Sequence, residues 1–421
     1  MDAVSVDVNL TERAKAPSLW RNKAFNLLWG SQALSGLGSS MSALATPLLT
    51  LYLTGSPIKA GLVGTSYSVV RLAGQLPSGV ITDRVDRRRL MLTCDAARLF
   101  AFGLLGWAVL TDRITLLWIV ATVMVVGLFD AASDTAHFSA IRNVVALQQV
   151  PQASAANEAR QAAVNLVGPP IGGALYGFAR SVPFFADAIS FLLSFIGIWF
   201  IRRPMQQERT EPREHPVKEL IEGVRFTWRE PFLRAALFIA PPINLGFNAL
   251  MFAIIVILQQ RGTPPALIGT AEAVISVGVL GGAFAAGWIV RKVPLRRLLV
   301  MATWTAVVVV AAGSLLTSSI LISVPMAIAI AFGPGLNSAL FGYQAAVTPD
   351  RLQGRVMSVI ITLAMGLASM ASLVGGVLVH WLGGPGTVLA AAGIISISAL
   401  AATFSKGMRT MRPLSEMEAP A

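Results

Sequence analysis

The sequence is poor in charged residues, cysteine and histidine, and each shortage excludes a class of protein. Only 13% of its 421 residues are Asp, Glu, Lys or Arg, about half the share found in a soluble domain. Cys94 is the single cysteine, so no intrachain disulfide can form. The three histidines stand far apart, without metal-site spacing, and no Gly-x-x-x-x-Gly-Lys-Ser/Thr phosphate loop occurs. We therefore expect no metal, no cofactor and no use of ATP.

Apolar residues make up 55% of the chain, which is typical of a polytopic membrane protein. Its 33 Lys and Arg residues against 21 Asp and Glu give a net charge of +12. Such an excess can indicate a nucleic-acid partner, but in a membrane protein the placement of the charges matters more than their sum. We expect the lipid bilayer as a partner, no nucleic acid, and a monomer.

Twelve apolar segments reach or approach the roughly 20 residues that a helix needs to cross a bilayer. They lie at 25–53, 60–81, 90–111, 114–138, 157–178, 183–201, 232–258, 266–290, 297–317, 320–345, 355–380 and 385–404. The predicted fold is therefore an all-α membrane protein with twelve transmembrane helices in two groups of six.

Lys and Arg concentrate in every second loop and in both tails, and this asymmetry predicts that both termini are cytoplasmic. The central loop has helical spacing of apolar residues from Val217 onward, which predicts an amphipathic helix on the inner leaflet. The predicted parts are the N-terminal tail 1–24, a six-helix bundle 25–201, the central loop 202–231, a second bundle 232–404 and the C-terminal tail 405–421.

The two groups of helices share a glycine register. The number of residues from Gly61 to Gly269 equals the number from Gly79 to Gly287. The second and eighth segments therefore carry glycines at corresponding positions. Each second glycine precedes a short basic loop. This repeat predicts two pseudo-symmetric bundles.

Six charges stand within seven residues after the second segment, in the order Gly79-Val-Ile-Thr-Asp83-Arg-Val-Asp-Arg-Arg-Arg89. The order resembles the signature loop of the major facilitator superfamily. We expect Gly79 to allow close helix packing. The resemblance implies that Asp134, or Asp130 as the second candidate, meets a loop arginine, that Asp83 lies near 354–358, and that these contacts close the cytoplasmic side. The gating residues would be Gly79, Asp83, Arg84, Asp86, Arg87, Arg88 and Asp134.

The fifth segment contains Gly168, Pro169, Gly172 and Gly173, whose small residues allow a neighbouring helix to approach closely. This order is similar to the antiporter motif of drug exporters of the same superfamily, although Val164 replaces a glycine of the fuller motif. The residue patterns at 222–228 and 348–355 resemble those of the enterobactin-exporter-like and macrolide-efflux branch of this superfamily. The resemblance implies export. We expect the facing surface from Gly278, Gly281, Gly282 and Gly287 of the eighth segment.

Ionisable residues within the segments are candidates for proton coupling, because burying an unpaired charge in lipid is costly. Arg71 and Asp130 lie at matching depths and are predicted to pair, either as a fixed structural ion pair or as a switchable one. Asp187 and Glu272 are further candidates, expected at hydrated positions near the outer rim. Asp95 and Arg98 are expected to pair with each other along one helix or with the charged loop before it.

The sequence predicts a secondary transporter that exports an amphiphilic small molecule in exchange for protons, and this protein would not be an enzyme. An importer or a lipid-moving protein of the same fold is the alternative. A non-transporting receptor or membrane enzyme is disfavoured, since no cluster of titratable residues occurs in one segment and no soluble output domain follows. The expected location is the inner (plasma) membrane.

Overall fold

The computed structural model describes residues 18–201, 205, 216–317 and 319–409. Within these ranges the chain is almost wholly helical and contains no β-strand. The described residues form fifteen α-helices, α1 to α15.

The N-terminal half consists of six long antiparallel helices whose starts are specified by capping residues or prolines. The Asn22 side chain accepts hydrogen bonds from two backbone amides of α1, and the Asp86 carboxylate accepts one from the Arg89 amide at 2.9 Å. Asp86 of the predicted gating loop therefore caps a helix. The helices are α1 (Lys23–Thr54), α2 (Pro57–Arg84), α3 (Arg87–Leu110), α4 (Leu116–Val144), α5 (Val150–Phe178) and α6 (Val182–Trp199).

The C-terminal half follows a short helix, α7 (Pro216–Arg229), and has two broken spans. The tenth predicted segment divides into α11 and α12 around Ala331, and the eleventh begins as α13 and continues in α14. Gly383, at φ 64°, joins the eleventh and twelfth segments within α14 in a conformation that favours glycine. The helices are α8 (Pro231–Gln260), α9 (Pro265–Lys292), α10 (Leu295–Gly313), α11 (Ser323–Ile330), α12 (Gly333–Val347), α13 (Gln353–Ala368), α14 (Ala371–Phe404) and α15 (Lys406–Arg409).

Helices α1, α2 and α5 differ from the others in composition. By length and apolar character, eight described stretches could each cross a membrane, and these three helices are not among them. They contribute Ser39, Arg71 and Asn165, among others, to interior cavities. Their lower apolar content follows from facing the interior rather than lipid.

The apolar cores show how the two halves meet. Two cores mix residues of both halves, for example Leu44 with Ile254 in one and Leu51 with Phe252 in the other. Two other cores each belong to a single half. One contains Phe25 of the N-terminal half, and the other contains Leu299 of the C-terminal half. The halves are therefore joined at one end and separate at the other. We call the end with the α1–α2 and α8–α9 turns the closed side, and the end with the α2–α3 turn and α7 the open side.

Glycines seal the closed side through two matching contacts. A Cβ at Gly61 of α2 would overlap the backbone of Ser372 in α14, and a Cβ at Gly269 of α9 would overlap the Pro169 carbonyl in α5. The two glycines of the sequence repeat thus occupy equivalent positions in the two halves. On the open side, a Cβ at Gly79 would meet nothing within 4 Å. The expected close packing at Gly79 is wrong for this conformation, because the halves are apart there.

The short helix α7 packs on α13 at the open side. Glu222 forms an ion pair of 3.0 Å with Arg351 and a second one with Arg355, while Gly223 lies against the Arg355 backbone. Apolar side chains on its other face are exposed: Ile221, Val224 and Trp228. The helix therefore presents an apolar stripe beside the start of α8.

Candidate functional site

A buried group of charges lies within the N-terminal half, between α3 and α4. One guanidinium nitrogen of Arg98 lies 2.7 Å from Asp130 Oδ1, and another lies 2.5 Å from Asp95 Oδ1 and donates to Ser133 Oγ at 2.9 Å. The Arg98 side chain is only 7% exposed. We call Asp95, Arg98 and Asp130 the Arg98 cluster. It places two carboxylates on one cation.

Hydroxyl groups hold the remaining carboxylate oxygens of the Arg98 cluster. Tyr67 of α2 donates to Asp130 Oδ2 at 2.8 Å, and Ser194 of α6 donates to Asp95 Oδ2 at 2.7 Å. The Arg98 guanidinium also stacks 4.4 Å from the Phe191 ring. Four helices thus meet at this cluster. The predicted pairing of Asp95 with Arg98 is confirmed, but the pairing of Arg98 with Asp130 was missed.

Arg71 binds a different acid from the one predicted. Its Nη2 lies 2.8 Å from Oδ2 of Asp134, and both side chains are about half exposed. The predicted pairs of Arg71 with Asp130 and of Asp134 with a loop arginine are therefore wrong. Helices α2 and α4 run parallel, so the Tyr67–Asp130 contact places Arg71 one turn further on, at Asp134.

Arginines of the predicted gating loop bind backbone carbonyls within the N-terminal half. Arg87 donates to the carbonyl of Met205 at 2.9 Å. Arg88 donates to the Trp199 carbonyl and stacks 5.6 Å from its ring. They tie the start of α3 to the end of α6 and to the following chain. Arg84 is exposed, and the placement of Asp83 near 354–358 stays a prediction.

The antiporter-like motif of α5 packs on two helices at once. Gly168 and Gly172 lie against α1, at Ser40 and Met41, whereas a Cβ at Gly173 would overlap the Pro265 carbonyl of α9. The Pro169 carbonyl lies against Gly269.

The facing surface on α9 therefore includes 265–269 and continues to Ser276, whose hydroxyl donates to the Asn165 carbonyl of α5 at 3.1 Å. The surface predicted from the later glycines of this helix is wrong, because Gly278 packs instead on Ala327 of α11 and Gly282 on Ala331, just after α11. Helical phase explains the difference, because these two glycines face a neighbour in their own half.

Three neighbouring cavities lie inside the protein, one within each half and one between the halves. The apolar chamber has a volume of about 480 Å³ within the C-terminal half, and its lining includes Ile239, Phe247, Met251, Thr303, Phe332 and Asn337. The acidic chamber, of about 370 Å³, lies between the halves near the closed side and includes Tyr67, Phe102, Asp130, Met251, Phe252 and Glu272. The polar chamber has about 350 Å³ and includes Tyr67, Arg71, Asp130, Asp134, His137 and Arg160.

Adjacent chambers share lining residues. Asn248 and Met251 line both the apolar and the acidic chamber, and Tyr67 and Asp130 line both the acidic and the polar one. Their combined volume exceeds that of a typical small-molecule site. A ligand with an apolar body and polar groups fits this arrangement.

Two proton-site candidates lie deeper than predicted. Asp187 is 0% exposed and accepts hydrogen bonds from Ser42 and, at 3.2 Å, from Ser190. Glu272 lines the acidic chamber. The expected rim positions are wrong, because α6 packs tightly on α1 and because α9 turns this face toward the opposite half.

Sequence reasoning missed Arg160 and His137 as cavity residues. Arg160 falls within the predicted segment 157–178 without a predicted role, yet it lines the polar chamber and donates to the Gln32 carbonyl at 3.0 Å. His137 lines the same chamber and is 3% exposed. The helical spacing of Arg160 with Val164 and Gly168 along α5 is the signal that could have placed it inward. Across the described residues, His, Cys, Asp and Glu form no group suited to a metal ion.

Comparison with known proteins gives consistent similarities. The sequence model of the Major Facilitator Superfamily matches residues 28–358. The chain is 25% identical over 397 residues to the multidrug efflux pump Tap of Mycolicibacterium fortuitum, covering 90% of this chain and 94% of that one. It is 24% identical over 354 residues to the enterobactin exporter EntS of Escherichia coli O1:K1, covering 79% and 80%.

Solved structures support the same fold. A bacterial homolog of the human lysosomal transporter Spinster, in an inward-facing and occupied conformation, superposes with a TM-score of 0.73 at 16% identity. The superposition covers 96% of this chain and 100% of that one. Similarity at this level of identity shows the fold alone. Together with the matching family model, it confirms the predicted fold class of two pseudo-symmetric six-helix bundles.

Proposed function

The chain belongs to the Major Facilitator Superfamily, and we propose that it is a membrane transporter, not an enzyme, that exports an amphiphilic small molecule in exchange for protons. One observation carries the proposal: adjoining cavities, one of them between the halves, lie inside a molecule that is sealed at one side and open at the other, and they place an apolar wall beside a buried ion cluster. Alternating access requires such a cavity.

The direction of transport rests on relatives and on the motif of α5. Tap is named an efflux pump and EntS an exporter, and both align with most of this chain. The antiporter-like motif forms the seal with α1 and α9. Export is the direction that both observations favour.

The open side faces the cytoplasm in this proposal. It carries the basic turns between α2 and α3 and between α9 and α10, which include Arg84, Arg89, Lys292 and Arg297. Positive residues favour the cytoplasmic side of a bacterial plasma membrane. The conformation is then inward-facing, ready to take substrate from the cytoplasm or the inner leaflet.

The Arg98 cluster provides the proton site. Asp130 is its only acid that lines the cavities, and Asp95 is wholly buried. When Asp130 takes up a proton from water on the outer side, Arg98 keeps an ionised partner in Asp95, so no buried cation is left unpaired. Release of that proton toward the cytoplasm restores the second ion pair. Binding and release of the proton thus change the net charge of the Arg98 cluster while Arg98 always keeps an ionised partner.

Everted membrane vesicles test this proposal. With the interior acidified, vesicles containing the protein should accumulate at least one dye from a set of cationic, neutral and anionic fluorescent amphiphiles, and a protonophore should abolish the accumulation. Accumulation in right-side-out vesicles instead would indicate an importer. A folded protein that moves no dye, or moves it regardless of the protonophore, would contradict proton-driven export.

A further inference from the structure

The acidic chamber has an unbalanced charge. Two carboxylates, those of Asp130 and Glu272, contribute to its lining, and no Lys, Arg or His among the described residues does so. Asp130 is paired with Arg98 and accepts a hydrogen bond from Tyr67. Across the described residues, the Glu272 carboxylate has neither an ion pair nor a hydrogen bond. Glu272 is thus the unmatched anion of this chamber.

The Arg98 cluster does not supply the missing positive charge. Its single guanidinium is shared by two acids, so the cluster itself is net negative when both are ionised. The other cations of the cavities, Arg160 and Arg71, which is paired with Asp134, line the polar chamber instead. The field in the acidic chamber therefore favours a positive ligand.

The walls around Glu272 are suited to an apolar cation. Phe102, Phe252 and Tyr67 contribute aromatic surface, and Met251 contributes a flexible thioether. A carboxylate in apolar surroundings loses hydration, and a bound cation offsets that loss. Met251 also lines the apolar chamber, which leaves room for the body of a larger ligand.

We propose that Glu272 is the charge-selecting residue of a binding site for a monovalent organic cation with an aromatic or aliphatic body. The cationic group lies beside Glu272 in the acidic chamber, and the body extends past Met251 into the apolar chamber. This assignment rests on the proposed transport function and names its substrate class. Asp130 keeps its contact with Arg98, so substrate charge and proton are taken by different carboxylates.

Binding to the purified full chain in lipid nanodiscs tests the assignment without requiring transport. The probes are tetraphenylphosphonium and the anion of matching shape, tetraphenylborate. The protein should bind the cation preferentially. Because close charge pairs at binding sites are commonly worth more than a factor of ten, Glu272→Gln should weaken cation binding by about tenfold or more. Glu158→Gln, an exposed carboxylate of α5, should leave binding unchanged.

A second measurement uses the native protein and therefore tests the assignment even if Glu272→Gln folds poorly. The hydrophobic carbodiimide dicyclohexylcarbodiimide should modify Glu272 in the native protein, and tetraphenylphosphonium should protect that residue in peptide mapping while tetraphenylborate does not. Equal binding of both probes, native affinity in a folded Glu272→Gln protein, or labelling of Glu272 without protection would overturn the assignment. Cation binding together with absent dye transport would contradict the proposed function alone.

Discussion

Arg98 and Asp130 form a buried ion pair of 2.7 Å that links α3 to α4. Arg98 binds Asp95 through the same guanidinium group, and all three side chains are largely withdrawn from solvent. Removing the cation would leave two acids facing each other in a low-dielectric interior. The pair is therefore both a structural joint and the point where a proton can alter the balance of charge.

The first prediction contrasts two arginines. Arg98→Ala should lower the stability of the protein by about 3–5 kcal/mol, because breaking a buried pair leaves uncompensated charge. Arg71→Ala should cost no more than about 1 kcal/mol, because its pair with Asp134 is half exposed to solvent. Thermal unfolding of both variants in the same detergent measures the difference. Equal losses of stability in the two variants would show that the buried Arg98 cluster stabilises the fold no more than the exposed pair of Arg71 with Asp134.

The second prediction concerns proton coupling. Asp130→Asn should abolish uphill export driven by a proton gradient but allow downhill exchange, because the amide keeps a similar shape and cannot be protonated at physiological pH. Proteoliposomes with and without a pH gradient, using the dye that the vesicle assay identifies, separate the two activities.

Asp134→Asn is the matched control, one turn away on the same helix and outside the Arg98 cluster. It should keep its dependence on the gradient. If Asp130→Asn transports uphill normally while Asp134→Asn or Asp187→Asn fails, the coupling site lies with that other acid.

Local properties of the sequence were sufficient to predict the helices and one buried ion pair. Twelve apolar segments follow from length and composition, and the contact between Asp95 and Arg98 follows from the helical period. The partner of Arg71 could not be predicted in this way. It depends on how far α2 is shifted along α4, which is set where Gly127 lies against the Tyr67 backbone and Gly74 against Leu128.

The seal at the closed side shows the same limit. The sequence identifies α5 and α9 as glycine-rich helices, but many of their glycines face other neighbours. Which glycines meet depends on rotation about each helix axis, and that rotation is fixed by the packing of the whole bundle. A glycine pattern therefore predicts close approach without identifying the partner.

The third prediction concerns the attachment of α7. Glu222 binds both Arg351 and Arg355, so Glu222→Ala should release α7 from α13. A partly exposed pair of this kind is worth about 1 kcal/mol, which corresponds to roughly fivefold faster opening. Amide hydrogen exchange across 221–229 should rise by that factor, whereas Glu230→Ala, just beyond α7, should leave it unchanged. Unaltered exchange in Glu222→Ala would mean that the apolar stripe alone holds the helix.

The fourth prediction concerns the seal between the halves. Gly173→Leu should separate α5 from α9 at the closed side, because even a Cβ there would overlap the Pro265 carbonyl. Overpacking of this kind costs about 1–3 kcal/mol, enough to shift a two-state transporter away from the closed-side seal. Since Cys94 is buried, a cysteine introduced at Ser42, which lines the acidic chamber, can report access from that side through maleimide labelling.

Gly177→Leu is the matched control for this variant. Gly177 lies one helical turn further along α5, and a Cβ there would meet no atom within 4 Å. We expect slow labelling at position 42 from the closed side in the native protein and in Gly177→Leu, and faster labelling in Gly173→Leu. Because both variants replace glycine with leucine in the same helix, the gain in helix propensity is common to both. Equal labelling in the two variants would mean that the Gly173–Pro265 contact does not hold the halves together.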